Sequence, residues 1–204
     1  MKLSKTKWVA LALLTATLPG LSQSAPAEMP QITVNVYNDA RVPEQVLAKA
    51  KGEAARIFRR ADVKIIWIDC SAARGPGARD PACANPMDRS HLAVRIVPWS
   101  STSGDAVFGV AFLSSEGNGA YTDVFYDSVE KLHSESHAGI PILLGHVIAH
   151  EMGHLLLGTN AHTGTGIMRP KWQGEELQSL AMGKLLFTPP QVESFKARLS
   201  AVPR

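Results

Sequence analysis

From residue 28 onward the chain opens on a two-residue alternation. Ile32, Val34 and Val36 are separated by Thr33, Asn35 and Tyr37, the pattern of a strand with one buried face. The period then changes: Val46, Leu47, Ala50, Ala54, Ile57 and Phe58 recur at helical spacing behind Pro43, which suits a first helical position. They predict an amphipathic helix over about 43–60. Residues 63–68 (VKIIWI) are rich in β-branched side chains and predict a second strand. Strand, helix and strand in this order predict a right-handed crossover with the two strands parallel. Further strands are expected at 91–97 (HLAVRIV), which Pro98 stops, at 107–113 (VFGVAFL) and at 121–126 (YTDVFY). The short SSEGNG connection lets the last two pair antiparallel, leaving one at the sheet edge.

From Pro141 to Leu157 the sequence is apolar almost all round, as in a helix enclosed between a sheet and a second layer, and Gly158 is placed to end it in the left-handed conformation. The preceding stretch, KLHSESHAG, reads as a polar connection with His133 and His137 solvated. After Gly158, Glu175 to Met182 predicts a short helix. Thr188-Pro189-Pro190-Gln191 is a capping-box start for a last helix over about 189–199. These elements predict an α+β protein: a five-stranded mixed twisted sheet with a crossover helix and a buried helix over about 141–157. A smaller, mostly helical part over 159–204 follows.

The first 27 residues change the electrostatic picture. Lys2, Lys5 and Lys7 precede an apolar run from Trp8 to Leu18 and a small-residue tail, the layout of a signal peptide, and the run is too short for a spanning helix. All 18 acidic residues follow this segment, whereas three of the 21 basic residues lie within it, leaving 18 of each beyond it. The basic character therefore belongs to the leader, and the balanced remainder argues against a nucleic-acid or anionic-membrane partner. About 177 residues remain, enough for one domain with a sizeable core over 28–204. An exported chain, periplasmic or extracellular, also permits a disulfide. Cys70 and Cys83, the only cysteines, flank a Gly/Pro/Arg-rich loop that such a bond would tie.

The chemistry is concentrated between Val147 and Trp172 (VIAHEMGHLLLGTNAHTGTGIMRPKW), which holds three of the seven histidines. His150 and His154, four apart on a helix, present their imidazoles on one face, a spacing suited to one metal ion. Glu151 sits about 100° further round, where a carboxylate can act as general base toward water at the metal without ligating it. A third ligand must come from beyond the helix: His162 is the nearest histidine, and Glu175 and Glu176 are the acidic alternatives. His146, one turn before His150, points away from that face and is expected to be a buried, hydrogen-bonded histidine.

The run His150-Glu151-Met152-Gly153-His154, then Gly158, His162 and Gly166-Ile167-Met168-Arg169-Pro170-Lys171-Trp172, resembles the metzincin clan of zinc metallopeptidases, with a matrixin-like methionine turn. The family pattern places glycine three and histidine six residues after the second histidine; here Gly158 is four on and His162 eight on. The resemblance implies a zincin-like fold with an upper part over 28–158 and a lower part over 159–204. It also implies one catalytic Zn²⁺ held by His150, His154 and His162, with Glu151 as general base and Met168 as a packing floor. Trp172 would line the pocket for the residue after the scissile bond or serve only as a core residue, and a peptide or protein substrate would lie along the 107–113 edge strand. Two further functions fit the same residues: a catalytically weak protein that binds peptides or surfaces, and a zinc hydrolase of a non-protein amide.

Overall fold

The structure is a computed structural model and describes residues 29–71, 81–99, 108–136 and 138–201. The leader over 1–27, Val107 and His137 lie outside these residues. Five strands form one mixed sheet in the order β2-β1-β3-β5-β4: β1 (Gln31–Asn38), β2 (Lys64–Asp69), β3 (His91–Val97), β4 (Gly109–Phe112) and β5 (Tyr121–Phe125). The pairs β1–β2, β1–β3 and β3–β5 are parallel, and β4 runs antiparallel to β5 at the edge. Register sets Val34 against Trp67 and Leu92, Val36 against Val94, and Ile96 against Val124. With side chains alternating along each strand, this makes one face of the sheet a continuous apolar surface.

Helices cover that face. The crossover helix α1 (Glu44–Arg59) turns Leu47, Ala50, Ala54, Ile57 and Phe58 into the core. The helix α2 (Tyr126–Ser136) begins directly after β5, where the sequence pattern suggested one more strand residue and then a polar connection. It forms because Val129 and Leu132, three residues apart, supply one narrow buried stripe. Only two apolar anchors among eleven residues leave its period hard to see. His133 lies on this helix and its Nδ1–H donates to the Ala138 carbonyl at 2.7 Å, so it is not a freely solvated side chain.

The central helix α3 (Ile140–Leu157) is buried from Leu143 through Leu156. It packs against α1, α2, β4 and β5, and also against the two C-terminal helices, α4 (Gly174–Ala181) and α5 (Pro189–Ser200). By length and composition it is the one described helix that could cross a membrane, yet the protein's own elements enclose it. Each buried leucine, isoleucine or methionine along it contributes about 1.5–3 kcal/mol of transfer free energy. The surroundings therefore fix the position of this helix strongly. Gly145 permits the close crossing with α1: a Cβ there would stand 2.7 Å from the Ala50 carbonyl oxygen.

Both C-terminal helices start with reciprocal capping boxes, Gln173 with Glu176 and Thr188 with Gln191. Near the end of α5, the Arg198 guanidinium donates to the Gly117 carbonyl in the β4–β5 turn and lies against Gly158 at the end of α3. On the opposite edge of the sheet, Cys70 and Cys83 form a disulfide between the end of β2 and a short 3-10 turn (Pro81–Ala84).

Candidate metal centre

His150 and His154 meet on the buried face of α3 with ring centroids 4.8 Å apart. Each ring has its Nδ1 side occupied by a backbone carbonyl: Ile167 for His150 at 2.7 Å, and Thr159 for His154 at 2.8 Å. A carbonyl only accepts, so both protons sit on Nδ1 and both Nε2 atoms carry lone pairs. Those two Nε2 atoms face each other at 3.1 Å with no proton between them. The arrangement calls for a cation. His162 completes it, its ring centroid 5.3 Å from that of His150 and 4.9 Å from that of His154. The ligand atoms of the three residues lie within 4.8 Å of one another. The donor set fits a divalent metal that favours imidazole, with the ring orientation of both helix histidines preset by their carbonyl partners.

Burial shapes the electrostatics. His150 and His154 are each 4 % exposed and Glu151 3 %. Desolvation pushes His150 down to about 3 and lowers His154, so both imidazoles are neutral at physiological pH, the form that ligates metal. The same burial raises the Glu151 carboxyl to about 8. Its side chain fits only because β4 begins with glycine: a Cβ on Gly109 would stand 2.7 Å from Glu151 Cγ.

After α3 the chain reverses at Gly158, whose φ of +69° places it in the left-handed region, as its position after the apolar run predicted. The segment that follows carries His162 on an exposed loop and then the turn around Met168. That turn braces two of the three histidines through its backbone. The Ile167 carbonyl accepts a hydrogen bond from His150 Nδ1–H, and the Met168 carbonyl accepts from the Thr163 amide at 2.9 Å, beside His162. Ile167 is itself anchored by donating its amide to the Leu186 carbonyl at 2.9 Å. Met168 is fully buried, its sulfur so near α3 that a Cβ on Gly153 would lie 2.6 Å from it.

The other histidine and glutamate candidates are not part of this cluster. Glu176 closes the α4 capping box and pairs with Arg169, and Glu175 is exposed. His146 is fully buried, with its Nδ1–H donated to the Ile142 carbonyl at 2.9 Å. His91 pairs through Nε2 with Asn35 Oδ1 at 2.9 Å. Trp172 is buried, stacks on Phe108 at 5.2 Å between centroids, and with Phe108, Leu132 and Lys171 lines a pocket that none of the three histidines lines. Sequence reasoning does not reach the carbonyls of Thr159 and Ile167, because any residue type supplies one. The close approach at Gly109 does leave a trace, a glycine inside a strand pattern.

The fold has known counterparts. It is similar to a zinc-dependent peptidase from Methanocorpusculum labreanum, with a TM-score of 0.50 and 16% identity, covering 81% of this chain and 99% of that one. It is also similar to metalloproteinase-II from Bacteroides fragilis, with a TM-score of 0.52 and 11% identity, covering 86% of this chain and 55% of that one. A weaker likeness joins it to archaemetzincin from Methanopyrus kandleri, at TM-score 0.45 and 15% identity over 87% of this chain and 99% of that one. No protein-family model matches the chain, and neither does any curated protein. The chain shares the fold of the first two of these proteins, and it is α+β with a five-stranded mixed sheet.

Proposed function

We propose that the protein is an exported zinc-dependent metalloendopeptidase of metzincin type. The catalytic domain would span 28–204, with an upper part ending at Gly158 and a lower part from 159. The observation that carries this reading is the facing pair of unprotonated Nε2 atoms on α3, closed by His162, with a buried glutamate beside it. His150, His154 and His162 hold the ion. Bound zinc supplies Lewis acidity toward water and toward the scissile carbonyl. Glu151 takes the proton of the attacking water and passes it to the departing amine. Burial alone would keep that carboxyl protonated near neutrality, and a divalent cation held by the imidazoles would favour its charged form. The strand β4, at the sheet edge among the described strands, would offer its outer backbone groups to an extended peptide, and the pocket walled by Trp172 and Phe108 would take the side chain after the scissile bond. The leader-like segment and the Cys70–Cys83 disulfide support export.

One comparison tests the reading: zinc content, and cleavage of an unstructured protein, for wild type and Glu151→Ala. Stoichiometric zinc in both, with cleavage lowered by about 10²–10⁴ in the variant, is the expected result. Wild type that carries zinc but cuts no faster than the variant would reject the enzyme and leave a binding protein.

A further inference from the structure

Trp172 entered the picture as a pocket wall, but its polar edge points elsewhere. Its indole Nε1–H donates to the Ile167 carbonyl at 3.2 Å, and that same oxygen accepts the His150 Nδ1–H at 2.7 Å. A carbonyl oxygen has two lone pairs, and here a metal-facing histidine occupies one and a tryptophan the other. The indole ring also meets the His150 ring edge-on, with centroids 5.8 Å apart at 78°, and is held from behind by the stacked Phe108. Trp172 is 2 % exposed, so neither N–H nor carbonyl can exchange this partner for bulk water at low cost.

The geometry points to Trp172 as a positioning residue that fixes the Ile167 carbonyl and, through it, the tautomer and ring angle with which His150 meets the metal. The proposal rests on the reading that the three histidines hold a divalent ion. His150 has the greater need of such support. Helix α3 sets the position of its Cα, but rotation of the ring about its last side-chain torsion is broad, and the Nδ1–H bond is the directional contact that selects one orientation and tautomer. The carbonyl that makes this bond lies seventeen residues away, in a turn and not in the helix. A second donor on the same oxygen narrows its direction.

The test separates the N–H from the ring. Trp172→Phe removes the donor but trims the ring; site-specific replacement of Trp172 by the benzothiophene isostere keeps the bicyclic shape and removes only the N–H. Zinc affinity is measured by chelator competition, and the His150 ring proton is followed in the metal-free protein by ¹H–¹⁵N spectroscopy. Both replacements are expected to weaken zinc by about tenfold, the lower end of what loss of an outer-shell partner costs. The isostere should also shift the His150 Nδ1–H resonance and speed its exchange, while leaving the thermal midpoint of the metal-free protein within about 2 °C of wild type, since it keeps the buried volume. A structural role alone would lower that midpoint in Trp172→Phe and leave the isostere like wild type. Isostere protein with wild-type zinc affinity or an unmoved His150 ring proton overturns the proposal. Wild type that binds no zinc overturns the metal reading and the proposal with it, whereas normal zinc binding without peptide cleavage overturns only the peptidase function.

Discussion

The two halves of the candidate metal site are built on different physics. His150, Glu151 and His154 stand on α3, where helical periodicity sets their directions and burial on all sides fixes the helix. His162 stands on an exposed loop beyond a left-handed glycine, and reaches the same point only because the turn around Met168 is tied to the core at Ile167 and Trp172. The first half is local and its spacing carries the information. The second is assembled by backbone groups brought together from separate segments, so it tolerates extra residues. Two more lie between His154 and His162 than the familiar spacing allows, and the loop absorbs them while the ligand atoms still gather within 4.8 Å.

The largest effects should come from the ligands. If three imidazoles share about 10 kcal/mol of zinc binding, removing one weakens it by roughly two to three orders of magnitude. His154→Ala should lie at or beyond the upper end of that range and His162→Ala at the lower, because water can replace a ligand more readily at the exposed position. Equal losses, measured by chelator competition, would remove the distinction between the halves.

A smaller effect is expected from charge. Glu151 titrates near 4.5 in the unfolded chain and near 8 in the fold, so the folded state is disfavoured as pH rises through that interval. Metal-free Glu151→Gln should therefore gain on wild type between those pH values, by about 1–4 kcal/mol at the upper end, and show little gain at the lower. His150 acts in the opposite direction. Its folded value near 3 lies below the ordinary 6.5, so stability present above 6.5 is lost as the pH falls toward 3. That acid limb should persist in Glu151→Gln, and chemical denaturation across pH checks both.

Where the halves touch, packing decides. Gly153→Ala sets a methyl group against the Met168 sulfur and should destabilise the metal-free protein by about 2–3 kcal/mol and weaken zinc as the turn shifts. Gly158→Ala, strained by its positive φ, should cost about 1–2 kcal/mol, with a smaller effect on zinc. Thermal melts with and without zinc measure both. If Gly153→Ala weakened zinc no more than Gly158→Ala, the turn would not be what carries the second half.

The sequence was most legible where one element carries its own period. The strands, α1 and α3 follow from alternation and helical spacing to within one or two residues, and the capping box at Thr188 marks α5. The helix α2 was hidden because its two anchors are too few to stand out among polar neighbours. In the site, spacing brings out His150, Glu151 and His154. The choice between His162 and the acidic residues of α4 depends on where a loop folds back, and the geometry brings His162 to the cluster while Glu176 is engaged with Arg169. The role of the Trp172 N–H was invisible for a different reason: its partner is a main-chain oxygen, which no residue type announces.

Arg198 bears on how the molecule would fail. A single guanidinium near the carboxyl end of the chain joins the turn beside the edge strand to the point where α3 stops, so two parts of the proposed cleft share one fastening. Trimming the last turn of α5 by an exopeptidase would remove that fastening without touching a ligand. Damage at the tail would then be felt as looseness at the opposite end of the chain's fold path, in the strand proposed to receive the substrate.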